Sequence, residues 1–425
     1  MNVLILGGGG REHALALKVK ESPQCNKLFI SPGNGGTPNY AENVSLTTNE
    51  DLLEFCKKEE ITLVIVGPEK YLVDGTVDFL RSGGVTVFGP GKDSANIEAD
   101  KLFAKELMVN NNVPTGIYKE FTTTSSKKDI YLYLKKQRYP IVIKANGLAA
   151  GKGVAICRNI YDALDAVLLN FDQKAFGEAS NKILVEEFLT GEEASLFVVS
   201  DGEDYLCLPT AQDHKRIGNN DTGKNTGGMG AYAPAFVVSD ELLKIIEDKI
   251  VKPTLLGLKQ LGTPFIGCLF CGLILTKDGP KVIEFNARFG DPETQVVVNV
   301  IEGDFLELLY SAAKGKINKN AISYNGGVSV CIVTASNGYP DDYETNFEIS
   351  GLDRIDDSIA KVYHAGTVLK EGKLLTNGGR VLGVTSFVKE KNFDEAVKLA
   401  YKAVSKISYD NIYYRTDIGK RALNL

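Results

Sequence analysis

The chain has little that would tie it to nucleic acid, to a membrane or to an oxidising compartment. Its 425 residues contain no long basic run, and the formal net charge is −6, which argues against a nucleic-acid partner. The opening apolar run, Val3–Leu6, is too short for a signal peptide or a membrane span. Cysteine is sparse and odd in number, seven in all. Cys268 and Cys271 lie inside an apolar run with no second pair nearby. At strand spacing their thiols point to opposite faces, so packing is expected rather than zinc or redox chemistry. A reducing cytoplasm follows. There are only three histidines: His13 and His364 read as structural or as contacts near a site, and His214, in a polar loop, has the better functional claim. No internal repeat is visible. Hydrophobic content of 44% and charged content of 24% are those of a globular protein, and the length predicts two to four domains. The two ends are those expected of a chain that stands alone.

Two strings carry the chemistry. In Lys281–Glu293, the segment Val282-Ile-Glu-Phe-Asn-Ala-Arg288 alternates apolar and polar residues. Strand side chains alternate faces, so Glu284, Asn286 and Arg288 are expected on one face and Ile283, Phe285 and Ala287 on the other. A carboxylate and an amide oxygen two residues apart are hard ligands suited to Mg²⁺, and an arginine beside them offers a planar fork to phosphate or carboxylate. An ordinary half-solvated edge strand is the bland alternative. The tail Phe289-Gly-Asp-Pro-Glu293, a turn with two more carboxylates, speaks against it. In Lys144–Val154, a β-branched run ends in Lys144, which needs an anionic partner if buried. Gly147, Gly151 and Gly153 then form a loop whose N–H groups can approach phosphate oxygens. The spacing is not that of a Walker A loop. A flexible hairpin with surface lysines is the minority reading.

Residues 1–100 read as a βαβ series with a parallel sheet: strands Val3–Leu6, Lys27–Ile30, Thr62–Val66 and Val85–Phe88, and helices 11–21, 50–59 and 72–82. The strand ends carry glycine turns at 7–10, 32–36 and 67–69, and ligands in open α/β sheets bind beyond such ends. A dinucleotide fingerprint fails, because the third glycine falls at Glu12. Arg11 instead favours a lone monophosphate; a plain strand-to-helix crossover is equally compatible. Asp100–Asn110 reads as a helical link. Residues 117–188 read as two strand pairs flanking helices 127–136 and 161–169. The polar loop Gln212–Tyr232 is long for a compact domain, and such loops are usually functional or disordered; its mix of charge and glycine without low complexity favours function. A helix is expected over 240–260 and another near 301–314. From about Gly326 strands return (328–334, 360–364, 380–385) with a helix over 392–406, as in a separate smaller domain. Tyr413 and Tyr414 read as core.

These residues resemble the ATP-grasp superfamily and, within it, the glycinamide ribonucleotide synthetase family (phosphoribosylamine–glycine ligases). The resemblance runs the length of the chain: Gly7-Gly-Gly-Gly-Arg-Glu-His-Ala14, Pro32–Thr37, Val66-Gly-Pro-Glu69, Lys144–Val154, Glu186–Ser195, Gln212–Tyr232, Lys281–Gln295, Asn377-Gly-Gly-Arg380 and Arg415-x-Asp417-Ile-Gly419. It implies a multi-domain α/β fold: an N-terminal parallel βαβ domain (1–103) on the ribosyl-substrate side, a central ATP-grasp α+β domain (104–322) with a mobile lid at about 117–190, and a small C-terminal α/β domain (323–425). It implies that ATP, glycine and 5-phosphoribosylamine give glycinamide ribonucleotide, ADP and phosphate through glycyl phosphate, with Mg²⁺ or Mn²⁺, in a monomer or weak homodimer.

By the same resemblance Lys144 looks like the lysine on the ATP phosphates, with Lys101 a second, and Gly151, Lys152 and Gly153 like the loop that folds over them. Glu186, Glu187, Phe188 and Leu189 resemble the segment whose backbone meets adenine, and Glu193 the carboxylate on the ribose. Glu284 and Asn286 match metal ligands, and Arg288 the arginine that steadies the acyl phosphate. Gly9, Gly10, Arg11, Pro32, Gly33 and Asn34 are expected at the ribosyl substrate, and Asp213 and Asp291 at the glycine amine, with Asp213 also counted as catalytic. The strand Cys268–Ile274 lacks the acidic metal ligand found in several relatives, which leaves one or two metal ions open. Three other readings stand beside this one: an ATP-grasp ligase for other substrates, a nucleotide-binding regulator without turnover, and, weakest, an NAD oxidoreductase.

Overall fold

The computed structural model describes residues 1–148 and 153–423. The N-terminal sheet has five parallel strands, in the order Glu42–Asn43, Lys27–Pro32, Asn2–Gly7, Ile61–Val66 and Val87–Phe88. Its apolar runs are buried on both faces, as a parallel sheet flanked by helices requires. The expected helix over 72–82 is two short helices, Glu69–Val73 and Thr76–Ser82. Gly75 between them has φ +84°, a left-handed conformation that interrupts the helical ladder and suits glycine. The first helix, Gly10–Lys20, is started by Glu12, whose Oε2 accepts from the Gly9 N–H at 2.6 Å.

Residues 118–187 build a four-stranded antiparallel sheet, Tyr118–Thr122, Lys182–Glu187, Ile141–Ala145 and Val154–Cys157. Two helices, Lys127–Lys135 and Ile160–Phe171, cover one face and share its own small core around Ile130, Leu134, Ile143 and Val185. A second antiparallel sheet runs Tyr205–Cys207, Glu192–Asp201, Ile266–Thr276, Gly279–Asn286. It packs against the N-terminal sheet and the helix Lys101–Asn110, which Asp100 caps. The segment 240–260 is helical throughout, with a wider π turn at Glu247–Val251. The helix expected near 301–314 begins later: Ile301–Gly303 is a strand, and Asp304 caps a helix over Phe305–Ala313.

The third sheet draws on two distant stretches of chain. Val328–Ser336, Arg380–Val388 and Ala360–His364 are joined by Gly230–Ala233 and Gln212–Asp213 from the polar loop, and Ile412–Tyr413 pairs with Val328–Ser336. The loop is thereby ordered at both ends, with the hairpin Arg216–Gly218 and Thr222–Asn225 projecting between them. Among the described residues no helix is long and apolar enough to cross a membrane.

Candidate active site

Simple alternation along Gly279–Asn286 fails at one residue. Glu284 is opposite Gly272, but Val282 is opposite Leu273, so Ile283 is an extra, bulged residue. Val282 and Phe285 therefore both enter the core while Ile283 does not, which corrects the expectation that Ile283 shares the Phe285 face. Bulges re-aim side chains and free backbone groups. Here the Ile283 carbonyl accepts from Lys144 Nζ at 3.1 Å.

Lys144 has a second partner. Its Nζ is 3.2 Å from Glu186 Oε2, and Lys105 Nζ is 3.0 Å from the same oxygen, all three side chains being buried. Glu186 thus offers its carboxylate as well as its backbone. Lys105 lies one helical turn beyond Lys101, whose Nζ donates to the Gly147 carbonyl at 2.6 Å. Glu187 is spent on the Ile117 N–H at 3.0 Å and on Lys281 at 3.3 Å. Phe188 is exposed and Leu189 half-buried. Of the expected phosphate loop, Gly151 and Lys152 lie outside the described residues. The Gly153 carbonyl accepts from the Ala145 N–H at 2.8 Å.

Lys215, overlooked in the sequence, ties the carboxylates together. Its Nζ is 3.5 Å from Glu193 and 3.5 Å from Glu284. Burial would lower the lysine pKa, but Glu193 and then Glu284 hold it above its ordinary range. Glu284 in turn is kept below the usual carboxylate range by Lys215, then Lys144 and Lys101. Arg288 is not on the strand, which ends at Asn286. Its guanidinium pairs with Glu98 at 3.0 Å and Glu69 at 3.3 Å, two carboxylates that the sequence reading did not nominate. Glu98 also accepts from the Ala287 N–H at 2.7 Å.

A second carboxylate group lies next to Lys215. Asp213 and Glu293 are buried and face each other. Burial, and then for Asp213 the charge of Glu293, pushes Asp213 well above the usual range, and burial raises Glu293. Ser195 Oγ donates to Glu293 at 3.0 Å, while Asp213 Oδ1 is buried without a hydrogen-bond partner. Gly228 must be glycine here, since a Cβ would come within 2.8 Å of that oxygen and 2.4 Å of Pro292. Asp291, also expected at the glycine amine, accepts from Gln295 at 2.8 Å and pairs with Arg380 at 3.4 Å. Burial alone would raise it, but Arg380 and Arg11 bring it below the usual range. Glu293 and Arg380 sit within quoted motifs, yet only the fold shows which of those charges meet.

The three glycine turns of the first sheet do converge. A Cβ on Gly8 would meet the Gly33 carbonyl at 2.4 Å, and one on Gly10 would meet Gln295 at 2.7 Å. Asn34 braces the cleft, donating to the carbonyls of Gly8 at 3.0 Å and His364 at 2.8 Å. Pro32 ends its strand opposite Gly7. Arg11 is buried, with Nε on Glu12 at 2.6 Å and an NH on the Phe289 carbonyl at 2.9 Å. These two donors already have partners in this state. His13 accepts from the His364 N–H at 2.8 Å through Nδ1. Burial lowers its pKa to about 3 and that of His364 to about 4, so neither carries a charge at neutral pH. His214 is likewise buried and lowered to about 4.

Lysines from a helix and a strand facing carboxylates on a second antiparallel sheet, with a separate small two-layer unit alongside, define the ATP-grasp class. Residues 99–294 match the family model for the phosphoribosylglycinamide synthetase ATP-grasp (A) domain, residues 1–98 the N domain and residues 329–421 the C domain. The chain is 44% identical to phosphoribosylamine–glycine ligase of Caldanaerobacter subterraneus subsp. tengcongensis, over 99% of each. It is 45% identical to that of Agrobacterium fabrum, covering 100% of this chain and 99% of the relative. A crystal structure of phosphoribosylamine–glycine ligase from Thermotoga maritima superposes with a TM-score of 0.86 at 31% identity, covering 99% of this chain and 100% of that one. A biotin carboxylase from Campylobacter jejuni shares the fold alone, with a TM-score of 0.74 at 14% identity over 97% of this chain and 93% of that one. The chain belongs to the phosphoribosylamine–glycine ligases, and it is an ATP-dependent ligase of purine synthesis.

Proposed function

We propose that this site joins glycine to 5-phosphoribosylamine through glycyl phosphate, with the roles divided as follows. The observation that carries the reading is Lys215, which stands 3.5 Å from both Glu193 and Glu284 and brings the ribose-side and metal-side carboxylates into one charged cluster. Across from them Lys101 and Lys144 supply positive charge for a triphosphate, and the 186–189 segment meets the adenine. The lid at about 117–190, part of a central unit 104–322 between 1–103 and 323–425, closes over the nucleotide. A closing lid keeps an acyl phosphate from water.

Glu284 and Asn286 would hold the divalent ion, Mg²⁺ or Mn²⁺. Both donors are hard oxygens, and Glu284 is kept ionised. Among the described residues no group of three or more His, Cys, Asp or Glu gathers around a metal, so phosphate oxygens and water must complete the set, the usual arrangement for Mg²⁺ on a nucleotide. When bound, the ion neutralises charge on the transferring phosphoryl group.

The buried pair Asp213 and Glu293 fits an ammonium: the charge of one acts on the other, and one Asp213 oxygen lacks a donor. The glycine amine supplies that donor. Its carboxylate then attacks the γ-phosphorus of ATP, the bond to ADP breaks, and Arg288 steadies the charge on the transferred group. The phosphoribosylamine nitrogen, held from the first-sheet turns around Gly9, Gly10 and Gly33, attacks the glycyl carbonyl. Phosphate leaves with the bonding pair, and the nitrogen loses a proton. No enzyme nucleophile is needed. Positioning and charge neutralisation supply the acceleration. The setting is the cytoplasm. ADP release that requires both glycine and phosphoribosylamine tests this reading, and ADP formed equally fast without either one overturns it.

A further inference from the structure

The motif Arg415-x-Asp417-Ile-Gly419 lies far from the nucleotide in sequence and takes no part in the chemistry above. In the fold it is locked to the hairpin that follows Lys215. Arg415 is almost fully buried. Its Nε and one NH₂ grip both oxygens of Asp417 at 2.8 Å, and the remaining NH₂ reaches the Arg216 carbonyl at 2.9 Å and Asp221 Oδ1 at 3.0 Å. Asp417 also accepts from the Asn220 N–H at 2.7 Å. Thr416 and Asn219 exchange two hydrogen bonds, at 2.9 and 3.0 Å. Tyr413 donates to the Ile217 carbonyl at 2.7 Å, and Arg421 pairs with Asp221. Every residue from Arg216 to Asp221 except Gly218 is touched by this tail.

The hairpin itself is a two-stranded ribbon of Arg216–Gly218 and Thr222–Asn225, and such a ribbon is marginal alone. Its stem begins at Lys215, one residue before the carbonyl that Arg415 holds. The Lys215 ammonium lies between Glu193 and Glu284, and its backbone carbonyl accepts from the Thr226 N–H at 2.8 Å and hydroxyl at 2.9 Å, which ties it to the far end of the ribbon. The bidentate pair with Asp417 fixes the buried guanidinium, and its remaining NH₂ then holds the hairpin at Arg216 and Asp221.

We infer that Arg415 is a positioning residue: with Asp417 it clamps the 216–225 hairpin and so sets Lys215 between Glu193 and Glu284. The inference rests on the site reading proposed above. The C-terminal segment then acts on the nucleotide site without touching a substrate.

The test compares Arg415→Met, Arg415→Lys, Lys215→Met and the double variant Arg415→Met/Lys215→Met, all in the full chain. Amide hydrogen exchange across 216–225 reads the clamp. Steady-state kinetics with ATP, glycine and phosphoribosylamine varied in turn read its consequence. Both Arg415 variants are expected to speed exchange in the hairpin while the N-terminal sheet keeps its protection. Arg415→Met is expected to lower kcat/KM for ATP about tenfold in the same pattern as Lys215→Met, and the double variant to be no worse than Lys215→Met alone. Arg415→Lys, lacking the fork, falls between. Hairpin exchange at wild-type rates in Arg415→Met overturns the inference. So does a double variant whose losses simply multiply, or a fall in active protein with kcat/KM per folded molecule unchanged, which is what a purely structural residue would give. A silent Lys215→Met overturns the site reading and this inference with it, whereas an impaired Lys215→Met beside a silent Arg415→Met overturns the inference alone.

Discussion

The ammonium of Lys144 donates to the carbonyl of Ile283, and that carbonyl is available because Ile283 is the extra residue of a bulge. The same irregularity puts Glu284 opposite Gly272, where no side chain crowds it, and within 3.5 Å of Lys215. One unpaired residue therefore decides where the strand presents its acid. Four cations act on that acid: Lys215, Lys144, Lys101 and Arg288.

Removing the acid should stop the reaction without unfolding the protein. Glu284→Ala is expected to reduce turnover by about a hundredfold to a thousandfold, the range seen when a group that stabilises developing charge is lost. The side chain is partly exposed, so circular dichroism and thermal midpoint should match the unchanged protein. Normal turnover would sink the metal assignment.

Asp213 gives a pH signature in the unliganded protein. Its folded-state pKa is raised well above the ordinary 3.8 by burial and by Glu293. The native state therefore keeps its proton after the unfolded chain has lost it, and stability falls as pH rises from about 3.8 through the raised value. Asp213→Asn should reduce that slope to the part left by Glu293, whose carboxyl is also raised, and stabilise the empty protein at neutral pH while abolishing glycine-dependent ADP release. Urea melts of both proteins across this pH range measure it; an unchanged slope would show that Asp213 ionises freely.

Arg11 has two tasks to separate. Its buried pair with Glu12 means that Arg11→Ala leaves a carboxylate unpaired, at a cost of about 3–5 kcal/mol in unfolding free energy. Beside a monophosphate site, the same variant should raise KM for phosphoribosylamine more than KM for ATP. Equal changes in both would take the monophosphate away from the first glycine turn.

Glu98 holds Arg288 at 3.0 Å and the Ala287 N–H at 2.7 Å. Glu98→Gln keeps one acceptor but loses the charge that fixes the guanidinium. We expect kcat to fall about tenfold or more with KM for ATP changed little, since an interaction made in the transition state is lost. A rise in KM at constant kcat would assign Arg288 to ground-state binding instead.

The parallel first sheet was legible because its evidence is local: β-branched runs, glycine turns at strand ends, helical spacing between them. Glu12 could be seen to break the dinucleotide fingerprint, and the structure adds its use, the cap on Gly9. Where the reading failed, the cause was also specific. Gly75 takes a left-handed φ that no periodicity reveals, so one expected helix is two. The bulge at Ile283 depends on what Gly272 and Leu273 do on the partner strand, and a single strand's alternation carries no trace of it.

The motifs by themselves determined the family, the kind of chemistry and most of the polar residues available for it, because phosphate, metal and carboxylate each demand particular side chains at short spacing. Tertiary structure decided which of those charges meet. Lys215 lies between Glu193 and Glu284, Asp213 faces Glu293 while Asp291 turns to Arg380, and the tail around Arg415 reaches back to the hairpin. Each pairing joins distant parts of the chain through sheet register and buried electrostatics. Those terms exist only once the strands are paired and water has left.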